Sequence, residues 1–312
     1  MASIKKSLIV GMGIGQLYQT VLKELGHVVY TVDMDPAKKA DFTSVEEALD
    51  SLIERGNPMT HLDTVHICTP NWTHEGIAYG VAPYSKVVFI EKPGFRTEER
   101  WFNLQKVFPA TRIMMVKNNM WRDNIDEMQA TAEKCEQIYF NWLNYDRVPS
   151  PGSWFTTKDS AFGGVSRDLM PHLLSLVVAI FPDQYKNLDL TSNGKERTWN
   201  LEELTNTQYG AVNKNGVYNV DDLAWMSFHL LNDKKEPQKL IMLEADWRTM
   251  ETDERNIVFE FDNEDVTFEL GLCPEYAYKN MIKDCLDNLN NTAFWKNQYE
   301  IDLWIHRMVN EL

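Results

Sequence analysis

An acidic residue and a histidine four positions apart, Asp168 and His172, form the pair in this sequence with the clearest catalytic potential. They lie in GGVSRDLMPHLLSL, residues 163–176, and on one helix side chains at i and i+4 share a face. Leu169 and Leu173 begin the spacing of a buried stripe, so the helix could pack on one side and present the pair on the other. Such a pair also occurs on protein surfaces and around buried histidines, and this alternative stays open.

A second reactive group is Lys92, in the tripeptide Glu91-Lys92-Pro93 that follows an apolar run at residues 86–90. A lysine held at a strand end can hydrogen-bond a substrate oxygen and stabilise negative charge there. Lys92 would otherwise be an ordinary solvated surface lysine.

A glycine-rich turn near the N-terminus predicts how these groups are brought to a cofactor. An apolar strand at residues 7–10 leads into GMGIG at 11–15, then a helical pattern, then a second strand at 28–32 that ends at Asp33. This is the βαβ dinucleotide-binding arrangement, in which backbone N–H groups at the helix start approach a pyrophosphate. Asp33 stands 20 residues after Gly13, where a carboxylate accepts hydrogen bonds from ribose hydroxyls.

The acid at this position favours NAD over NADP, because its charge would repel a 2′-phosphate. The fingerprint departs from GxGxxG, since Gln16 stands in place of the third glycine and Gly15 comes one position early. The alternative is a tight strand-to-helix turn in another kind of α/β protein.

Composition excludes several classes of function. The 312 residues carry 31 basic and 46 acidic side chains, a net charge of −15 that disfavours nucleic acid and anionic membrane surfaces as partners. Four cysteines without a CxxC pair predict reduced thiols in a cytoplasmic setting and no zinc knuckle. The first 15 residues do not fit a signal peptide, and the apolar run at 173–181 is too short to span a bilayer.

The sequence pattern of the chain changes at about residue 118. Alternating and β-rich runs predict a mainly antiparallel sheet with strands at 139–145, 222–231, 239–247, 256–262 and 265–270. Segments 147–154 and 192–220 read as loops that could cover a cleft, and 275–289 and 294–312 as closing helices.

Four separated segments, GMGIG, CTPNWTHEGIA, Glu91-Lys92-Pro93 and GGVSRDLMPH, together resemble the Gfo/Idh/MocA oxidoreductase family, named for glucose-fructose oxidoreductase and inositol dehydrogenase. The resemblance covers about the first 180 residues, with VDDLAW at 220–225 added. It implies an α/β fold with a Rossmann domain at residues 1–119. A C-terminal α+β domain at 120–312 would carry a large open sheet, bind substrate and form homodimers or homotetramers.

The resemblance also implies site residues. Lys92, Asp168 and His172 match the family's catalytic groups, and Arg122 matches a residue lining the substrate pocket. The cofactor set is Gly11, Gly13, Ile14, Gly15, Asp33, Thr69, Pro70, Asn71, His74, Glu91 and Lys92. Trp154 or Trp121 could offer an apolar face to a sugar ring, and no third ligand accompanies Asp168 and His172 to suggest a metal. Pro171 departs from the family pattern and is expected in the first turn of its helix.

These matches predict reversible hydride transfer between NAD and a hydroxyl-bearing carbon of a sugar, cyclic polyol or related small molecule. His172 would take the hydroxyl proton, Lys92 would favour the alkoxide, and Asp168 would orient substrate or imidazole. Three alternatives stay open: a reductase of an unsaturated substrate such as a bilin, an NAD-dependent glycoside-cleaving enzyme, and a non-catalytic NAD-sensing regulator.

Overall fold

The computed structural model describes residues 5–54, 57, 61–205, 209–249, 252–271 and 274–312. The chain divides into a first unit of Met1–Asn118 with Glu275–His306 and a second unit of Asn119–Pro274 with Arg307–Leu312. The predicted single domain at 120–312 does not coincide with the second unit, because most of the two closing helices belong to the first unit. Cys273 and positions 206–208 of the polar segment 192–220 lie outside the described residues.

The first unit is built on a five-stranded parallel sheet in the order β2-β1-β3-β4-β5. Its elements are β1 (Lys6–Val10), α1 (Gly15–Glu24), β2 (Val28–Val32), α2 (Val45–Leu52), β3 (Leu62–Ile67), α3 (His74–Val81), β4 (Ser85–Ile90), α4 (Glu98–Val107) and β5 (Arg112–Met115). Strands β1, β3 and β4 are almost wholly buried, as expected of a parallel sheet covered on both faces, whereas the edge strand β2 is buried only at its last two residues.

The strand order sets where a ligand can bind in the first unit. The chain moves from β1 outward to β2 and then crosses back to β3 on the other side of β1. Ligands of open α/β sheets bind at the carboxyl ends of the strands beside such a reversal. The glycine turn after β1 and the loop after β3 both lie at this edge.

The second unit carries a six-stranded sheet in the order β11-β10-β6-β9-β8-β7, antiparallel except for the parallel pair β6 and β9. Its elements are α5 (Ile125–Ala132), β6 (Gln137–Tyr145), α6 (Lys158–Ala161), α7 (Val165–Asp168), α8 (Met170–Ile180), β7 (Leu188–Glu196), β8 (Leu223–Leu231), β9 (Pro237–Thr249), β10 (Glu254–Glu260) and β11 (Val266–Glu269). Two helices, α9 (Glu275–Asp287) and α10 (Thr292–Glu311), follow β11, and most of their residues belong to the first unit. Strands β6, β8 and β9 alternate buried with more exposed residues, so one face of the sheet packs inward.

Helix α8 covers that inward face. Every residue of α8 except His172 is buried, and the helix lies against β6 and β9. The predicted fold class, a parallel Rossmann-type sheet plus a mainly antiparallel sheet, is confirmed. The prediction of a loop over 192–220 was wrong at 192–196, where the chain forms the end of β7. The sequence did not indicate this strand because β7 is an edge strand, paired with β8, and lacks an alternation of buried residues. No described helix is long and apolar enough to cross a membrane.

Candidate active site

The glycine turn after β1 has backbone conformations and spacing that other residues would disturb. Gly11 has φ +93°, and a Cβ there would lie 2.7 Å from the carbonyl oxygen of Cys68. At Gly13 a Cβ would have no described atom within 4 Å, so the described chain leaves space above the turn. Helix α1 begins at Gly15, and no described side chain caps its first N–H groups. Free space beside a helix start that lacks a side-chain cap fits a dinucleotide pyrophosphate.

Asp33 is fixed where β2 ends. Its Oδ2 accepts the N–H of Met12 at 2.7 Å, and its Oδ1 accepts the N–H of Asp35 at 2.9 Å. Each carboxylate oxygen can accept a further hydrogen bond. The carboxylate is therefore tied to the glycine turn and retains capacity for ribose hydroxyls.

His74 connects the loops that follow β3 and β4. Its ring nitrogens lie 2.8 Å from the carbonyl oxygen of Thr69 and 3.0 Å from that of Gly94. The side chain is fully buried, and burial lowers its pKa. Asn71 of the same loop is partly exposed. His74, predicted to be a cofactor-binding residue, thus contacts the backbone of both loops.

Lys92 stands at the end of β4 between anchored neighbours. The Glu91 carboxylate accepts the hydroxyl of Tyr18 at 2.6 Å and the backbone N–H of Lys92 at 3.2 Å. Burial raises the pKa of Tyr18 well above its usual value, which keeps this hydroxyl a donor. The Lys92–Pro93 peptide is cis, and Lys92 itself is half-buried.

Helix α10 braces the segment that follows Lys92. Gly94 has φ +74°, and a Cβ there would lie 2.6 Å from Nε2 of His306. The N–H of Phe95 donates to that Nε2 at 3.2 Å. One turn earlier, Asp302 accepts the Lys117 ammonium at 2.5 Å in a pair that is almost wholly buried. The closing helix is thus part of the framework around β4 and β5.

In the second unit, the prediction that Asp168 and His172 share one helix was wrong. Asp168 ends the short helix α7, Leu169 forms the junction, and His172 lies in the first turn of α8. Pro171 causes the break, because it has no N–H to bond to the preceding turn. Its predicted place in a first turn is confirmed, since it occupies one of the first two positions of α8.

A buried carboxylate holds α7 at its start. Asp221 accepts the N–H groups of Gly164 at 3.1 Å and Ser166 at 2.8 Å, and its carbonyl accepts that of Val165 at 2.9 Å. A Cβ at Gly164 would lie 1.7 Å from the Asp221 carbonyl oxygen. Glycine is required at position 164 because the two backbone segments come this close. Asp221, the residue that Gly164 approaches, belongs to the segment VDDLAW.

Side chains far along the chain orient the two candidate catalytic residues. Oδ2 of Asp168 accepts the indole N–H of Trp247 at 2.9 Å. The ring of His172 stacks on Trp142 with centroids 5.3 Å apart and planes 20° apart, and its Nδ1 lies 3.1 Å from Nδ2 of Asn119. Sequence reasoning missed Trp247, Trp142 and Asn119; the one signal for Asn119 is its place three residues before Arg122.

The remaining predicted substrate residues have different surroundings. Arg122 is buried, with Nε 2.9 Å from Oδ1 of Asn119 and a terminal nitrogen 2.9 Å from the carbonyl oxygen of Gly271. Trp154 is half-buried and stacks on Phe155 at 3.9 Å between centroids. Arg122 therefore contacts the residue that touches His172. The described residues hold no group of three or more side chains suited to a metal ion.

Comparisons with known proteins agree with the fold. No protein-family model matches the chain. The putative UDP-kanosamine synthase oxidoreductase subunit of Amycolatopsis mediterranei (strain S699) is 25% identical over 182 residues, which are 54% of this chain and 49% of that protein. The chain therefore spans about half the length of this curated relative.

Solved structures match over nearly the whole chain. GenD2 from gentamicin A biosynthesis, in complex with NAD, has a TM-score of 0.75 at 14% identity, with 99% of this chain and 93% of that chain covered. Levoglucosan dehydrogenase with NADH and levoglucosan has a TM-score of 0.67 at 16% identity, with 99% and 97% covered. These neighbours share the fold that the resemblance implies, so the resemblance is confirmed at the level of the fold.

Proposed function

We propose that the chain is a nicotinamide-dependent oxidoreductase that prefers NAD and acts on a hydroxyl-bearing carbon of a sugar, cyclic polyol or related small molecule. The observation that carries the proposal is the pairing of an uncapped glycine turn with the fixed carboxylate of Asp33. The neighbours solved with NAD or with NADH and levoglucosan support both the cofactor and the substrate class.

The first unit would hold the cofactor. The turn at Gly11–Gly15 would bind the pyrophosphate through backbone N–H groups, and Asp33 would bind the ribose hydroxyls. The loop of Thr69, Pro70 and Asn71, held from behind by His74, would line the nicotinamide side. When bound, the nicotinamide supplies or accepts the hydride. Asp33 favours NAD because a 2′-phosphate would meet its negative charge.

Lys92 and His172 would both interact with the substrate oxygen. Two tasks are needed there: one group exchanges the hydroxyl proton, and the other donates a hydrogen bond that stabilises negative charge. The sequence analysis assigned the proton to His172. Asp168, held by Trp247, would bind a neighbouring hydroxyl or orient the imidazole. Assembly into homodimers or homotetramers through the six-stranded sheet stays a prediction.

The test measures turnover and cofactor binding in the same variants. Lys92→Ala and His172→Ala are each expected to lower kcat about 10²–10⁴-fold on the substrate that a sugar and polyol panel identifies, followed by NADH absorbance. NAD binding, read from the thermal shift it causes, is expected to persist in His172→Ala. His229→Ala, on strand β8, is the matched histidine control and should keep wild-type turnover.

Full turnover in both site variants with NAD still bound would contradict the mechanism. Product formation without net NADH change would instead identify a glycoside-cleaving enzyme. NAD binding without turnover on the whole panel, and with a co-purifying protein partner, would identify a regulator.

A further inference from the structure

Three side chains of the second unit form a hydrogen-bonded series that ends on the ring of His172. Nε of Arg122 lies 2.9 Å from Oδ1 of Asn119, and Nδ2 of Asn119 lies 3.1 Å from Nδ1 of His172. Asn119 and Arg122 are 1% and 7% exposed, so the bond between them is buried, and the bond from Asn119 to His172 is partly buried. The series therefore acts in a low-dielectric setting, where a mismatched donor or acceptor is costly.

The arginine decides which way the amide of Asn119 faces. A guanidinium has only donors, so the atom of Asn119 beside it must be the carbonyl oxygen. The other end of the amide, an NH₂ group that can donate hydrogen bonds but cannot accept them, is then turned toward His172. Rotating the amide would place its NH₂ against the Arg122 N–H and leave two buried donors facing each other.

The amide in turn decides the state of the imidazole. A donor that points at Nδ1 requires a lone pair on that nitrogen. A neutral imidazole carries one hydrogen, which must then lie on Nε2. Stacking on Trp142 holds the plane of the ring, so the bond from Asn119 is maintained.

We propose that Asn119, oriented by Arg122, is a positioning residue that keeps His172 neutral with its hydrogen on Nε2, so that His172 offers the substrate oxygen a hydrogen-bond donor. This inference rests on the proposed function. It changes the role given to His172 by the sequence analysis, since a ring that accepts a proton at Nε2 would need a hydrogen on Nδ1, facing the Asn119 NH₂.

Lys92 then exchanges the proton. In the oxidation direction, a bound nicotinamide would accept the hydride released as the carbinol C–H bond breaks and the C=O bond forms, and Lys92, in its neutral form, would accept the O–H proton. The alcohol is oxidised and the cofactor reduced. Throughout, His172 donates its Nε2–H to the oxygen and ends unchanged.

The tautomer can be measured without substrate or cofactor. Long-range ¹H–¹⁵N correlation of the ¹⁵N-histidine-labelled full chain at about pH 8, where an ordinary histidine is neutral, distinguishes a ring nitrogen that bears hydrogen from one with a lone pair. His172 is assigned among the 7 histidines by the signals lost in His172→Gln. We expect hydrogen on Nε2 and a lone pair on Nδ1, and the opposite pattern in the wild type would overturn the inference.

A near-isosteric variant tests the cause. Asn119→Asp still accepts from Arg122 but now faces Nδ1 with an acceptor, so hydrogen should appear on Nδ1. The matched control is Asn219→Asp, which adds the same charge in this unit while keeping the acceptor for the Lys158 N–H. An unchanged His172 pattern in Asn119→Asp overturns the inference, and should that variant fail to fold, the wild-type spectrum alone decides.

A kinetic readout separates donor from base. His172→Gln keeps an N–H donor but cannot take a proton, so we expect it to lose less than about 100-fold in kcat, and a larger loss would indicate a base. Failure of the proposed function would appear as no turnover in any variant while the tautomer result stands. An Nδ1–H wild-type ring in an active dehydrogenase would refute the inference alone.

Discussion

The two units hold their candidate site residues by different means. In the first, backbone atoms hold Asp33, which receives the N–H groups of Met12 and Asp35, although Glu91 also receives the hydroxyl of Tyr18. In the second, side chains do so: the indole of Trp247 holds Asp168. A backbone contact survives most substitutions around it, whereas a side-chain contact disappears with one. Substitutions of these supporting side chains should therefore lower turnover in the second unit, whereas in the first unit they should mainly lower stability, at the few places where side chains bear the framework.

The severest test of that contrast is the Lys117–Asp302 ion pair, the framework contact of the first unit that depends most on side chains. Asp302 also accepts the N–H of Met115 at 3.0 Å, and burial raises its pKa to about 6 although Lys117 opposes the rise. Lys117→Met leaves the carboxylate buried without its partner. We expect the free energy of unfolding in urea to fall by about 3–5 kcal/mol.

Two further variants show whether the loss of stability in Lys117→Met comes from leaving a buried charge without its partner. Lys117→Met with Asp302→Leu removes both charges and should recover most of the loss, since buried pairs contribute little net stability over apolar packing. Lys86→Met breaks an exposed pair with Asp63 and should cost about 0–1 kcal/mol. If Lys117→Met cost no more than Lys86→Met, the closing helix would not depend on this pair.

The next effect in size is on the pH dependence of stability. His66 is fully buried beside Thr64, and burial lowers its pKa from 6.5 to about 3. Below about pH 6.5 the unfolded chain takes up a proton that the folded chain refuses, so stability is lost as pH falls toward 3. The limiting slope is about 1.4 kcal/mol per pH unit for one group.

Urea unfolding at several pH values between about 7 and 5 measures this slope. His66→Phe keeps a ring against Phe89, which His66 stacks on at 4.8 Å, and should flatten the slope. Thr64→Val alters the same cluster but keeps the histidine, so it should lower stability at every pH and leave the slope unchanged. Equal slopes in His66→Phe and the wild type would show that another group titrates.

The same contrast explains how far the sequence could be interpreted. The βαβ turn and Asp33 were predictable because their contacts are local and made by the backbone, whose geometry glycine spacing reports. The partners of the candidate catalytic pair were not, because Trp247 is 79 residues from Asp168 and Asn119 is 53 residues from His172. Helical periodicity also failed there, since spacing alone does not register a break.

The last effect, and the one specific to the second unit, is expected at Trp247. Trp247→Phe keeps an aromatic ring but removes the N–H that donates to Asp168. Hydrogen bonds to charged groups contribute about 1.5–3 kcal/mol, so kcat/KM should fall about 10–100-fold while NAD binding is unchanged. Trp225→Phe, a half-buried tryptophan on β8, is the matched control and should keep wild-type kinetics. If Trp247→Phe weakened NAD binding as much as turnover, Asp168 would not serve the substrate alone, and the contrast between the units would fail at the residue where it is sharpest.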